Sequence, residues 1–190
     1  MLFRSISDNS NPAAADFDGT GESFSAQALA VATPNALTSG AQTTIGGTTF
    51  TWPASGTNDN VIADGQTINV SGSGNELGFL GASGFGSASG TGTITYTDGT
   101  TQSYGISLAD WYNNAAATGS VIAASTTSWN YSSSTQTAHP VSVYYASVPL
   151  ETGKTVASVT LPTISSGAGD NVNAMHIFAI AVGSGTPTGS

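Results

Sequence analysis

Cysteine is absent from the 190 residues, lysine and arginine together number two, and histidine adds only two more. Without cysteine there is no disulfide framework, no thiolate metal site and no cysteine nucleophile. The two basic residues, Arg4 and Lys154, stand against eleven acids for a net charge of -9. Such a surface neutralises no phosphate backbone, which excludes nucleic acid and anionic membrane as partners. No apolar run approaches the roughly 18 residues that cross a bilayer as a helix. The opening Met1-Leu2-Phe3-Arg4-Ser5 lacks the apolar stretch of a signal peptide. If the protein is exported, its signal has been cut away or lies on a larger parent. Only 7% of the residues are charged, while 16 aromatics accompany 29 Val, Ile and Leu, so disorder of the charged kind is excluded as well.

Small residues fill the space: 27 Ser, 27 Thr and 24 Gly, with Ala supplying 26 of the 73 hydrophobic residues. Short runs rich in Val, Ile, Thr, Tyr and Phe recur between Gly, Ser, Asn and Asp clusters, and helix-period patterning is nearly missing. The pattern predicts an all-β chain with strands at 23–29, 41–45, 48–52, 67–70, 77–80, 92–96, 100–108, 120–124, 141–148, 155–161 and 175–182. Eleven strands exceed one comfortable sheet, so an antiparallel two-sheet sandwich is expected. The stretches 7–21, 111–119 and 126–140 read as loops. Residues 1–183 read as one module, and the Gly, Ser, Thr and Pro tail 184–190 has linker composition.

Two hairpins follow from side-chain parity. A two-residue loop at Gly46-Gly47 sets Ile45 opposite Thr48 and Thr43 opposite Phe50, so that Ile45, Phe50 and Trp52 share a face. At Asp98-Gly99 a two-residue loop would put Tyr104 on the wrong face. A three-residue loop, Thr97-Asp98-Gly99, pairs Ile94 with Gln102 and aligns Ile94, Tyr96, Tyr104, Ile106 and Leu108.

Several motifs then stand in a familiar order. They are Phe17-Asp18-Gly19-Thr20-Gly21, Thr49-Phe50-Thr51-Trp52-Pro53, Leu77-Gly78-Phe79-Leu80-Gly81 and Thr95-Tyr96-Thr97-Asp98-Gly99-Thr100. Asp110-Trp111, Ser147-Val148-Pro149-Leu150, Lys154-Thr155-Val156-Ala157-Ser158-Val159-Thr160-Leu161-Pro162 and Met175-His176-Ile177-Phe178 follow. In this the chain resembles the galactose-binding-like β-sandwich modules appended to secreted bacterial glycoside hydrolases and peptidases. The resemblance implies a jelly-roll fold and a non-catalytic accessory role in carbohydrate binding or spacing.

Catalytic signatures are missing: there is no Gly-x-Ser-x-Gly elbow and no His-Glu-x-x-His motif. His139 and His176 read as structural or surface residues, and Glu22, Glu76 and Glu151 read as lying in separate loops. No enzyme activity is expected. Hard oxygen donors at Asp8, Asp16 and Asp18, near Glu22 and several glycines, suit a structural calcium ion, and Asp, Asn and Gly equally build metal-free turns. Sugar binding calls for aromatic rings flanked by amides, and Tyr112, Asn113, Trp129, Asn130 and Tyr131 place that chemistry in loops. Trp52 and Trp111 read as core. An alternative needs no ligand: so little charge and so much Ser and Thr also suit a subunit that assembles with copies of itself in a surface layer or filament, an edge strand such as 155–161 being completed by a neighbour.

Overall fold

The computed structural model describes residues 2–136 and 139–188. In chain order the first strands are β1 (Leu2–Phe3), β2 (Ile6–Ser7), β3 (Glu22–Ser25), β4 (Thr33–Pro34), β5 (Gln42–Ile45) and β6 (Thr48–Thr51). Next come β7 (Asn60–Ile62), β8 (Thr67–Ser73), β9 (Glu76–Gly84), β10 (Ala88–Tyr96), β11 (Thr101–Leu108) and β12 (Ser120–Thr126). The last are β13 (Trp129–Tyr131), β14 (Ser134–Gln136), β15 (Val141–Pro149), β16 (Thr155–Thr160) and β17 (Ala174–Gly183). The chain is an all-β sandwich, and no helix among the described residues is long and apolar enough to cross a membrane.

Two principal sheets face each other. One has the order β1-β7-β17-β9-β15-β12-β4 and the other β11-β10-β16-β8. Phe79 of the first stacks on Tyr104 of the second with ring centroids 5.4 Å apart. The strands β9 and β15 are buried almost end to end, on both faces. Their outer face is closed by further layers: the β5–β6 hairpin and a small sheet of order β14-β13-β3-β2. Trp52, just past β6, packs on Phe178 of β17 at 5.1 Å, and Phe24 of β3 meets the same ring edge-on at 5.7 Å. The sandwich is thus thicker on one side than two sheets alone.

Both hairpins form in the register that parity demands. Ile45 faces Thr48 and Thr43 faces Phe50, with positive φ at Gly46 and Gly47. Ile94 faces Gln102, Gly99 takes a φ of 84°, and Ile94, Tyr96, Tyr104, Ile106 and Leu108 are all buried. Trp52 and Trp111 are core residues.

Four expectations need correction. The strand expected over 23–29 stops at Ser25, whose hydroxyl accepts the Ala28 N–H at 3.1 Å and caps the short helix α1 (Ala26–Leu29). A side-chain oxygen that satisfies a free helix-end N–H outweighs the weak β pattern of Ala-Gln-Ala-Leu. The stretch 126–140 contains strands β13 and β14, because β3 offers a free edge to which Trp129, Asn130 and Tyr131 bond. The strand near 155–161 is no edge: β16 lies between β10 and β8. Glu22 and Glu76 are strand residues of β3 and β9, not loop residues.

Candidate functional site

Cross-strand pairing builds the site from β3 and β13. Trp129 faces Phe24, and Tyr131 faces Glu22. Alternation puts Trp129 and Tyr131 on one side and turns Asn130 to the other. There Asn130 is wholly buried: its Nδ2 donates to the Ser7 hydroxyl at 2.8 Å and the Ser7 carbonyl at 3.3 Å, and its Oδ1 accepts the Thr135 hydroxyl at 2.8 Å. The expectation that Asn130 contacts a ligand is corrected accordingly. Its amide joins β2 to the β13–β14 hairpin.

Trp129 is also not the open ring that its Ser and Thr neighbours suggested. It is 8% exposed and stands edge-on to Trp111, Tyr112 and Tyr131, at 6.1, 6.1 and 6.3 Å. Trp111 in turn packs on Phe17 and Phe24, so a chain of rings runs from the core to the surface. Its outer ends are Tyr112 and Tyr131, which are 38% and 43% exposed on either side of Trp129. The Trp129 Nε1 donor is buried and meets no acceptor among the described residues.

Tyr112 is held at the surface by the turn beneath it. Asp110 accepts the Tyr112 N–H at 2.8 Å and the Gly86 N–H at 2.5 Å. The neighbouring Asn114, in left-handed conformation, accepts hydroxyls from Ser125 and Ser142, which ties the loop to β12 and β15. Asn113, between them, is exposed. One face of Tyr112 lies flat on His139, 3.9 Å between centroids and 6° from parallel. His139 was read as a structural or surface residue, and no periodicity links positions 112 and 139. Only the docking of the 111–119 loop beside the β13–β14 hairpin brings them together.

The acidic residues divide into two groups. Asp8 accepts the Ser10 N–H and hydroxyl at 2.8 and 2.6 Å and the Gln27 amide at 2.5 Å, which holds its carboxylate below the usual range. Asp16 accepts the Gly19 N–H at 2.7 Å, and Asp18 accepts the Thr20 N–H and hydroxyl at 2.9 and 2.8 Å, closing two turns. Burial, then the charge of Asp18, its hydrogen bond to Glu22 and the charge of Asp16, push the Glu22 carboxyl up to about 7. Among the described residues no three of His, Cys, Asp and Glu stand together as a metal-holding group, so Asp8 does not join Asp16 and Asp18. The ring of Tyr131 lies beside this acidic turn, 3.8 Å from where a side chain on Gly21 would begin.

The other titratable groups lie apart. His176 is buried, with Nδ1 at 2.9 Å from the Asn60 amide oxygen, and burial pushes it down to about 3. Glu76 is buried beneath Thr48 and Tyr145, whose hydroxyls both donate to its Oε1. Glu151 is at the surface, 2.6 Å from Lys154.

A family model described as the AziU2-like beta-sandwich domain matches residues 3–185. No curated protein matches the chain.

Proposed function

Since the chain belongs to the AziU2-like beta-sandwich domain family, we propose that it serves as a non-catalytic accessory module that binds carbohydrate weakly and spaces a partner domain outside the cell. In this reading the fold is a jelly roll of the galactose-binding-like kind. The observation that carries the proposal is the exposed pair Tyr112 and Tyr131 flanking a buried Trp129. Flat rings backed by packed rings keep their orientation, so little entropy is lost when a sugar C–H face stacks on them. Asn113 supplies an exposed amide next to Tyr112 for ring hydroxyls. Weak binding fits a surface strip better than an enclosed pocket.

Calcium belongs to the reading only at the 16–22 turn. Asp16 and Asp18 each give one oxygen to the turn, and an ion there would hold the loop without taking part in chemistry. The module is non-catalytic in this reading because the sequence carries neither a Gly-x-Ser-x-Gly elbow nor a His-Glu-x-x-His motif.

The test is retention on a panel of insoluble and soluble polysaccharides. The proposal expects at least one to retard the parent chain and the Tyr112→Ala, Tyr131→Ala double variant to run free of it. A parent chain that none of the panel retards would sink the proposal, as would a double variant retarded equally.

A further inference from the structure

We propose that the cleft beside β11 takes one extended, uncharged peptide segment of a partner chain, which lies against β11 as a fifth strand of the smaller sheet. The inference goes beyond the sugar strip and does not depend on it.

The two facing sheets are unequal in width. Phe79 of β9 stacks on Tyr104, so β11 stands over β9. There the four-stranded sheet ends, while the facing sheet goes on past β9 as β15, β12 and β4. The space left beside β11 is a cleft of about 610 Å³ with Ala146 and Val148 of β15 in its lining. Thr118 and Gly119, at the approach to β12, and Thr188 of the tail form its far wall. Near one end Gln102 Nε2 of β11 donates to the Pro149 carbonyl of β15 at 2.7 Å. Walls of this kind keep out the edge of another folded sheet. A single strand beside Ser103 to Ser107, about 14 Å long, 4.8 Å wide and 10 Å deep, fills on the order of 650 Å³, which matches the cleft.

The backbone of β11 supplies the bonds for such a strand. Its eight residues pair with β10 in unbroken register from Thr101 to Leu108, and no second strand pairs with it. Tyr96 donates its N–H to the Thr100 carbonyl. Every second residue onward, Gln102, Tyr104, Ile106 and Leu108, therefore bonds to β10. Ser103, Gly105 and Ser107 turn their N–H and C=O groups the other way, and all three positions line the cleft. An extended peptide meets alternate outward groups of this kind with its own main chain.

The lining says what the segment carries. No charged residue lines the cleft, so a charge brought into it would lose its water without gaining a partner. Side chains of an added strand alternate between the facing sheet and solvent. Small or β-branched apolar side chains fit over Ala146 and Val148, which are buried, and Ser or Thr fits the other face. The chain itself holds an uncharged segment at the rim: the Thr188 N–H donates to the Ser147 hydroxyl at 3.0 Å, and the Ser147 N–H donates to the Thr188 hydroxyl at 2.8 Å. A sugar fits less well, because Tyr104, the one aromatic ring of the lining, is buried and offers no stacking face.

The probe is a capped pentapeptide, acetyl-Thr-Val-Thr-Val-Thr-amide, added to the isotope-labelled full chain, and the readout is amide hydrogen exchange. The expected result is that Ser103, Gly105 and Ser107 exchange about tenfold more slowly with the peptide at ten times its Kd, while Gln102, Tyr104 and Ile106, already bonded to β10, change little. Ser103→Pro removes one outward N–H and no bond to β10, and should abolish the slowing at Gly105 and Ser107. The same peptide methylated on every backbone nitrogen should have no effect. That comparison leaves the protein unaltered, so the test stands should Ser103→Pro not fold. Exchange unchanged by the first peptide overturns the proposal, as does equal slowing by the methylated one. Slowing of the same amides by a soluble polysaccharide, or by raising the concentration of the chain alone, overturns it too, because the occupant would then be a sugar or a second copy. Polysaccharide retention should be the same with and without the peptide, so failure here and failure of the sugar reading are separate outcomes.

Discussion

Thr188 and Ser147 exchange hydrogen bonds: the Ser147 N–H donates to Thr188 Oγ1 at 2.8 Å, and the Thr188 N–H donates to Ser147 Oγ at 3.0 Å. The same Thr188 hydroxyl donates to the Gly119 carbonyl at 3.1 Å. β12 pairs with β15 only as far as Ser120 opposite Ala146, and Thr188 takes up the next backbone group of β15. Thr188→Val keeps the shape and loses both hydroxyl bonds. It should lower stability by about 1 to 2 kcal/mol, a few degrees in Tm for a chain of this size, whereas Thr188→Ser should match the parent. Thermal melts of the three proteins decide it.

His176 gives the fold an acid limit. Its folded pKa, about 3, lies below the ordinary value of 6.5, so the unfolded chain binds a proton in that window that the folded chain refuses. Stability contributed by the neutral ring is complete above about pH 6.5 and falls on acidification by at most ~1.4 kcal/mol per pH unit, down to about pH 3. Urea unfolding between pH 7 and pH 4 should show this slope, and His176→Gln should reduce it. A parent whose midpoint is the same at pH 7 and pH 4 would contradict the prediction.

Glu22 acts with the opposite sign. Its folded pKa, about 7, lies above the ordinary 4.5, so the folded chain holds a proton that the unfolded chain releases, and stability declines as pH rises through that window. Glu22→Gln should therefore raise Tm relative to the parent at pH 8 and leave the difference small at pH 4. Equal differences at both values would show that neither burial nor the Asp18 and Asp16 carboxylates raise its pKa.

The two indole rings of the outer layer should both prove structural. Trp52→Ala and Trp129→Ala each empty a packed site, and each should cost roughly 3 to 5 kcal/mol. Denaturant midpoints measure this directly. A Trp129→Ala protein as stable as the parent would restore that ring as a surface platform.

The Gly46-Gly47 and Asp98-Gly99 hairpins were readable because a glycine turn and a period of two each fix register on their own, and here they agree. Sequence parity does not say which strands become neighbours, so β16 read as an edge and proved central. Three-residue strands such as Trp129-Asn130-Tyr131 are too short to show a period; they exist because β3 left an edge to fill. At the candidate site Tyr112, Asn113 and Tyr131 were legible as aromatics and amide among polar residues, and the structure leaves all three exposed. The burial of Trp129 and Asn130 was not legible, because it comes from Phe24, Trp111 and Ser7 far away in the chain. The flat contact of His139 with Tyr112 had no signal at all, since it depends on where two loops dock.

The account stands or falls on the strip formed by Tyr112 and Tyr131. The direct measurement is a binding titration, against the polysaccharide that retards the parent most, of the parent and the two single alanine variants. Loss of one stacking ring should remove about 1 to 2 kcal/mol and weaken binding roughly tenfold in each variant, with the melting temperature nearly unchanged because both rings lie at the surface. Parent affinity in both variants would contradict the account.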